Sequence, residues 1–167
     1  MQIAVLADVH DCLSPLRRLL ALEPIAKAEA LILCGDLTHP AVLDACIRPG
    51  RSFSFCLGNC DQGRAAGLMK HGLMVGATPW AELGTLALPN GEQVAFVHYP
   101  AVARQAAETG QYKAVFFGHS HQPHEEVVMV NGMAVLLANP GDVQGRYGKH
   151  SALVWDSETN IVTKLEL

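Results

Sequence analysis

The first half of this 167-residue chain alternates short apolar runs with amphipathic segments, and this alternation constrains the fold more than any other feature. The apolar runs cover residues 2–7, 29–34 and 52–57, and each has a length typical of a buried strand. Between them, residues 13–27 and 41–47 carry apolar side chains at helical spacing. Because parallel strands need such crossover connections, the pattern predicts a βαβαβ unit with helices covering a parallel sheet.

The second half of the chain is richer in antiparallel signals. Turn sequences at residues 89–91 and 131–132 each separate two strand-like runs and predict hairpins. Residues 101–109 have helical spacing, and residues 113–118 form another apolar run. Because no repeat, linker or low-complexity segment interrupts the chain, we expect residues 1–167 to form a single α/β domain.

Composition excludes several classes of function. The net charge is −4 and the basic residues are scattered, so tight electrostatic binding to nucleic acid is not expected. No apolar run approaches the roughly 20 residues of a membrane span, and the N-terminus lacks the pattern of a signal peptide. The five cysteines include no CxxC pair, which disfavours a disulfide framework or a structural zinc site. We therefore expect a soluble cytoplasmic protein.

Polar side chains with oxygen or nitrogen donor atoms follow five of the apolar runs. They are Asp8 and His10, then Asp36, then Asn59, then His98, then His119 and His121. In an open parallel sheet the carboxyl ends of the strands line one edge, where ligands bind. We therefore expect two carboxylates, one amide and four imidazoles to lie close together.

Divalent cations are the simplest partners for such a set, because burying unpaired carboxylates and several imidazoles is costly. Seven oxygen and nitrogen donors suit two ions about 3.5–4 Å apart that share a carboxylate. Mixed imidazole and carboxylate donors fit manganese, iron, zinc or nickel better than calcium. We expect two divalent ions, with manganese as the first candidate.

Five blocks of this sequence resemble the pattern of the calcineurin-like metallophosphoesterase superfamily. They are DVH (8–10), GD (35–36), GNCD (58–61), the lone His98 and GHSH (118–121). NPGD at 139–142 is similar to the NPGS element of the small YfcE-like branch. The resemblance implies a four-layer α/β/β/α sandwich, with two mixed sheets flanked by helices.

The resemblance also implies how the donors are divided. The first metal would be held by Asp8, His10 and His121, the second by Asn59, His98 and His119, and Asp36 would bridge the two. The implied reaction is attack of a metal-bridging hydroxide on a phosphodiester. Two divalent ions, two carboxylates and one hydroxide leave about one positive charge, which suits a phosphodiester anion.

We select four residues as candidates for catalysis and two as candidates for substrate binding; for Cys60 the alternative is a small spacer beside the site. The catalytic residues are Asp36, Asn59, Cys60 and Asp61; the substrate-binding residues are Asn59 and Arg146. Asp61 has the alternative role of orienting its loop, and Arg146 the alternative of a solvated loop residue. In much of the superfamily position 60 is a histidine that protonates the leaving oxygen, and a neutral thiol is a poor substitute.

We interpret the sequence as a metal-dependent phosphodiesterase that acts on a small-molecule or nucleotide phosphodiester. The alternative is a non-catalytic metal-binding scaffold of the same fold, like the retromer subunit. That subunit has lost metal-ligand residues, including the histidine of D-x-H, whereas this chain keeps His10. A nuclease would need a basic surface, which the charge pattern lacks. For the oligomeric state, the resemblance leaves a homo-oligomer as one of the alternatives.

Overall fold

The computed structural model describes residues 1–167, which form eleven strands and five α-helices. The strands are β1 (Gln2–Leu6), β2 (Ala30–Cys34), β3 (Ser52–Cys56), β4 (Thr78–Trp80), β5 (Gly84–Ala87), β6 (Gln93–Val97), β7 (Ala114–Phe117), β8 (Pro123–Val130), β9 (Met133–Pro140), β10 (Ser151–Asp156) and β11 (Val162–Glu166). The helices are α1 (Leu13–Leu20), α2 (Glu23–Lys27), α3 (Pro40–Cys46), α4 (Ala65–Met74) and α5 (Pro100–Glu108). A short 3-10 helix covers Asn59–Arg64.

Both sheets are mixed, as the resemblance implied. The first sheet has the order β11-β10-β1-β2-β3-β4, in which β1 to β4 are parallel and β10 pairs with β1 in the antiparallel direction. The second sheet has the order β5-β6-β7-β9-β8, in which β6, β7 and β9 are parallel. The two predicted hairpins are confirmed as the antiparallel pairs β5–β6 and β8–β9.

Three hydrophobic clusters separate the layers of the molecule. One cluster lies between the first sheet and helices α1 to α4, and includes Leu16, Leu43 and Leu68. The second fills the space between the two sheets, where Phe116 and Trp155 pack edge to face. The third lies between the second sheet and α5. Helix, sheet, sheet and helix therefore form the four-layer sandwich that the resemblance implied.

The single helix predicted for residues 13–27 is wrong, because the chain forms two helices there. Leu22 is extended, with φ −62° and ψ 134°, and Pro24 lies in the first turn of α2. A proline inside a continuous helix would lack an amide donor and would clash with the carbonyl four residues earlier. The interruption therefore follows from Pro24. Helix α4 and the 3-10 helix before it were not predicted from the sequence.

The strands that precede the predicted donors end at one edge of the sandwich. Within the first sheet, the Asp8 and His10 amides donate to the carbonyls of Gly35 and Asp36, at 3.2 and 3.0 Å. Within the second sheet, the Gly118 amide donates to the His98 carbonyl at 3.1 Å. These bonds hold the strand ends together. No helix is long and apolar enough to span a membrane.

Candidate metal centre

The structure brings the seven predicted donors together between the ends of the two sheets. Asp8 and His10 follow β1, Asp36 follows β2 and Asn59 follows β3. From the facing sheet, His98 follows β6, and His119 and His121 follow β7. Asp8, Asp36, His98 and His121 are buried and His10 is half-buried, whereas Asn59 and His119 are exposed. The centre therefore opens to solvent beside Asn59 and His119.

Three donor atoms predicted for the second metal already surround one point. Asn59 Oδ1 lies 2.9 Å from His98 Nε2 and 2.9 Å from His119 Nδ1, and the two nitrogens are 3.2 Å apart. Donor atoms that share one ion at right angles, with bonds of about 2.1 Å, lie about 3 Å apart. The spacing of the three atoms therefore fits a common cation.

The protonation of His98 supports the same conclusion. His98 Nδ1 lies 2.9 Å from the Cys34 carbonyl oxygen, which accepts only from a protonated nitrogen. Burial lowers the pKa of His98, so the ring is neutral and its Nε2 carries a lone pair. That lone pair faces the Asn59 oxygen, which is also an acceptor, and a cation between them resolves the repulsion.

The donors predicted for the first metal surround Asp8. Asp8 Oδ1 lies 3.9 Å from His10 Nε2 and 3.7 Å from His121 Nε2, and the two rings stack with centroids 5.2 Å apart. Asp8 Oδ1 and His10 Nε2 are buried and have no hydrogen-bond partner. Because buried polar atoms are rarely left unpaired, these two atoms fit a site for a divalent ion. Asp8, His10 and His121 also form a group with metal-ligand spacing.

Asp36 lies between the two sets of donors. Its Oδ2 is 3.5 Å from His10 Nε2, which belongs to the first set, and 3.6 Å from His98 Nε2, which belongs to the second. Its Oδ1 accepts a hydrogen bond from the Cys60 amide at 2.8 Å. One carboxylate oxygen is therefore fixed by the backbone, and the other faces both sets, as a bridging ligand requires.

The backbone is strained where it presents these donors. Five of the seven have a positive φ: Asp8 (53°), His10 (45°), Asp36 (52°), His119 (70°) and His121 (58°). Such conformations cost of order 1–3 kcal/mol each at worst, and they cluster at functional sites. Two glycines permit the close approach of neighbouring strand ends. A Cβ at Gly58 would clash with the Asp36 carboxylate, and one at Gly118 would crowd Asp8 Oδ2.

Burial makes the metal-free centre electrostatically unfavourable. Desolvation, with a smaller contribution from the neighbouring charge of Asp36, raises the pKa of Asp8 to about 8. Because this pKa is higher than in the unfolded chain, stability is lost as the pH rises from about 4 toward 8. A cation bound beside Asp8 would remove this cost by stabilising the carboxylate.

We therefore expect divalent metal to stabilise the protein more at pH 8 than at pH 5. Metal at about 100 times its dissociation constant contributes about 2.7 kcal/mol, which raises Tm by about 5–10 °C for a chain of this size. The measurement is thermal unfolding of metal-stripped protein with and without added manganese at both pH values. Asp8→Asn should raise the metal-free Tm at pH 8 and reduce the metal-induced shift at that pH, leaving only the part that comes from the second set of donors. Equal shifts at the two pH values would contradict this prediction.

The other predicted site residues lie in different environments. The Cys60 thiol lies beside the site and forms a group with His10 and Asp36 within metal-ligand distances. The Asp61 carboxylate is fully buried and accepts hydrogen bonds from the amides of Leu37, Thr38 and Gly58. These contacts agree with the alternative role of Asp61, which is to orient its loop.

Arg146 and Asp142 lie on the loop that follows β9. The Arg146 side chain is exposed and makes no hydrogen bond or ion pair, while its backbone amide donates to Asp142 Oδ2 at 2.9 Å. Asp142, which was not among the predicted site residues, has its Oδ2 2.8 Å from His121 Nδ1. The signal was present, because Gly141 and Asp142 follow an apolar strand just as Gly35 and Asp36 do.

Comparison with protein families gives a match over nearly the whole chain. The model of the calcineurin-like phosphoesterase superfamily domain matches residues 1–160. No curated protein sequence matches this chain. The family match thus covers every donor described above.

Several solved structures share this fold at low sequence identity. An archaeal phosphodiesterase is 22% identical, with a TM-score of 0.85, and each chain covers 100% of the other. YfcE, a phosphoesterase from E. coli, is 16% identical with a TM-score of 0.64, covering 99% of this chain and 98% of its own. Vps29 from Chaetomium thermophilum is 16% identical with a TM-score of 0.64, covering 100% of this chain and 97% of its own. The fold of this chain is thus found in enzymes and in Vps29.

Proposed function

The chain belongs to the calcineurin-like phosphoesterase superfamily, and we propose that it is a metal-dependent phosphodiesterase acting on a small-molecule or nucleotide phosphodiester. Family membership supports hydrolysis of phosphoesters in general. One observation carries the finer proposal: Asp36 Oδ2 faces both His10 Nε2 and His98 Nε2, so two sets of donors share one carboxylate. A two-ion centre of this kind stabilises the attacking and leaving oxygens of an in-line displacement.

The chain supplies ligands for two ions in the division described above. Asp8, His10 and His121 would hold the first ion, Asn59, His98 and His119 the second, and Asp36 both. When bound, the ions would supply Lewis acidity toward phosphoryl oxygens and lower the pKa of water. Because the donors are imidazole, carboxylate and amide, we propose manganese first, with iron, zinc or nickel as alternatives.

The protein's own groups would orient the substrate and hold the ligands in place. The exposed side chains of Asn59 and His119 lie at the solvent-facing rim, where a phosphodiester would enter. The Cys34 carbonyl holds the His98 ring, and the Cys60 amide holds Asp36 Oδ1. Arg146 lies on an exposed loop whose backbone is joined to Asp142, and we propose it as a phosphate contact.

The test is hydrolysis of bis-p-nitrophenyl phosphate by metal-stripped protein to which manganese, nickel, zinc or iron(II) is returned. The monoester p-nitrophenyl phosphate is measured beside it, because a phosphodiesterase should prefer the diester. Asp36→Asn protein, purified in parallel, reports turnover by contaminating phosphatases. Metal-dependent turnover that the variant lacks would support the proposal. Preference for the monoester would contradict the diester assignment while leaving phosphoester hydrolysis intact.

The alternative function is a non-catalytic, metal-binding scaffold like Vps29. The observation that favours it is Cys60, which stands where much of the superfamily has a catalytic histidine. The two functions differ in one measurement. A scaffold would bind two metal ions and hydrolyse neither ester. The enzyme would bind two metal ions and hydrolyse the diester.

Cys60 should make the rate depend steeply on the leaving group. Cys60 is exposed, but partial desolvation and a hydrogen bond with Asp36 raise its pKa to about 11, so the thiol stays protonated and donates its proton poorly. We expect kcat/KM to fall steeply from aryl to alkyl phosphodiesters. Cys60→His should flatten this dependence and raise turnover of alkyl diesters by about 10²-fold, the usual contribution of a general acid.

The measurement is kcat/KM across a series of diesters that differ only in the pKa of the leaving alcohol. Cys60→Ser, which keeps the size and supplies no stronger acid, is the matched control and should keep the wild-type slope. A slope that is the same in the wild type and in Cys60→His would contradict the prediction.

A further inference from the structure

Asp142 occupies a position equivalent to that of the predicted ligands but points at one of them. It follows β9, which is parallel to β7, and its side chain is almost completely buried. Its Oδ2 lies 2.8 Å from His121 Nδ1. Its own backbone is fixed by Ser151, whose Oγ accepts from the Asp142 amide at 3.1 Å and whose amide donates to the Asp142 carbonyl at 2.8 Å. The carboxylate is therefore held in place from outside the site.

The hydrogen bond to Asp142 determines which nitrogen of His121 carries the proton. An ionised carboxylate is only an acceptor, so His121 Nδ1 must be the protonated nitrogen. Nε2 then carries the lone pair, and this atom lies 3.7 Å from Asp8 Oδ1. The bond to Asp142 thus presents the correct nitrogen of His121 to the first set of donors.

Packing alone does not fix the His121 ring. The His10 ring stacks on it, but His121 and Asp142 also border a cavity of about 300 Å³ with Tyr147 and Lys149 in its wall. His121 also has a positive φ of 58°, which its surroundings must maintain. Stacking on His10 fixes the plane of the ring, and the hydrogen bond to the Asp142 carboxylate fixes which ring nitrogen faces Asp8.

We propose that Asp142 is a positioning residue that orients His121 for metal binding, an inference that rests on the proposed function. Hydrogen-bonded carboxylates behind metal-binding histidines fix the tautomer and raise the basicity of the ligand. His98 by contrast is held by a neutral carbonyl, that of Cys34.

The test uses the full chain after removal of metal, with zinc as the probe. Zinc affinity is measured by competition with a chelator, and the protonated nitrogen of His121 is identified from the ¹⁵N shifts of the imidazole rings. The variants are Asp142→Asn, which keeps the size, and Asp142→Ala, which removes the acceptor. Asp44→Asn is the matched control, because Asp44 pairs with His71 at 2.6 Å on the exposed surface.

We expect one of two zinc-binding steps to weaken by about 10-fold in Asp142→Asn and about 100-fold in Asp142→Ala, the range typical of such partners. The second step and the Asp44→Asn protein should be unchanged. In Asp142→Asn the amide group can donate to Nδ1, so we expect His121 to gain the Nε2-protonated form. Thermal unfolding of each metal-free variant separates this effect from a loss of folding.

Two results would overturn the inference: wild-type zinc affinities in both Asp142 variants, or Nε2-protonated His121 in the wild type. A wild type that binds no zinc would instead overturn the proposed function. The His121 tautomer, measured without metal, would then still show whether Asp142 positions the ring. The two failures are therefore distinguishable.

Discussion

Asp36→Asn should lower kcat for the diester by about 10³-fold or more, which corresponds to about 4 kcal/mol of transition-state stabilisation. The amide keeps the oxygen that accepts from the Cys60 amide at 2.8 Å. It replaces the other oxygen, which lies 3.5 Å from His10 Nε2 and 3.6 Å from His98 Nε2, by a group that does not bind metal ions. The substitution therefore removes the shared ligand with little change in shape.

The measurement is kcat at saturating metal, together with the number of ions bound per chain. Asp44→Asn makes the same chemical change on the surface and should keep wild-type activity. The metal-free Asp36→Asn protein should unfold at or above the wild-type Tm, because a buried charge has been removed. Activity within tenfold of the wild type would rule out Asp36 as the bridging ligand.

Asp61→Ala should be the most destabilising single change near the site. The Asp61 carboxylate accepts from the amides of Leu37, Thr38 and Gly58 at 3.2, 2.7 and 2.8 Å. Alanine leaves these buried donors unpaired, at a cost of about 3–5 kcal/mol in total. For a domain of this size we expect Tm to fall by about 6–20 °C.

The comparison for Asp61 is Asp156→Ala. Asp156 accepts from the Glu158 and Thr159 amides at 2.9 and 3.0 Å, but in an exposed turn where water can replace it. That change should cost about 1 kcal/mol or less. The measurement is the Tm of both metal-free variants relative to the wild type. Similar losses of Tm in the two proteins would contradict the prediction that burial of the unpaired amides sets the cost of Asp61→Ala.

Asp61→Ala should also weaken metal binding without touching a ligand. Leu37 and Thr38 directly follow Asp36, and Gly58 directly precedes Asn59, so Asp61 joins the two loops that carry these donors. Chelator competition should show a loss in affinity that grows as the variant approaches its Tm. Unchanged affinity well below the Tm would mean that each loop keeps its shape alone.

Most of the fold could be predicted because its signals are local. Apolar runs of strand length, helical spacing between them and turn residues at 89–91 and 131–132 each depend on neighbouring residues. The missed interruption near Pro24 was also local, since proline excludes a continuous helix. The seven donors were found for a related reason, because polar residues directly after a buried strand must lie at the end of a sheet.

The sequence by itself therefore determined the parallel unit of the first half, the two hairpins of the second half and the group of residues at the strand ends. Only the tertiary structure decided the contacts among these residues. Asp36 Oδ2 lies between His10 and His98, Asp61 accepts hydrogen bonds from two loops, and Asp142 is hydrogen-bonded to His121. These contacts join residues 21 to 62 positions apart in the chain. They depend on which strands become neighbours and how the two sheets face each other, and no local pattern of residues specifies that arrangement.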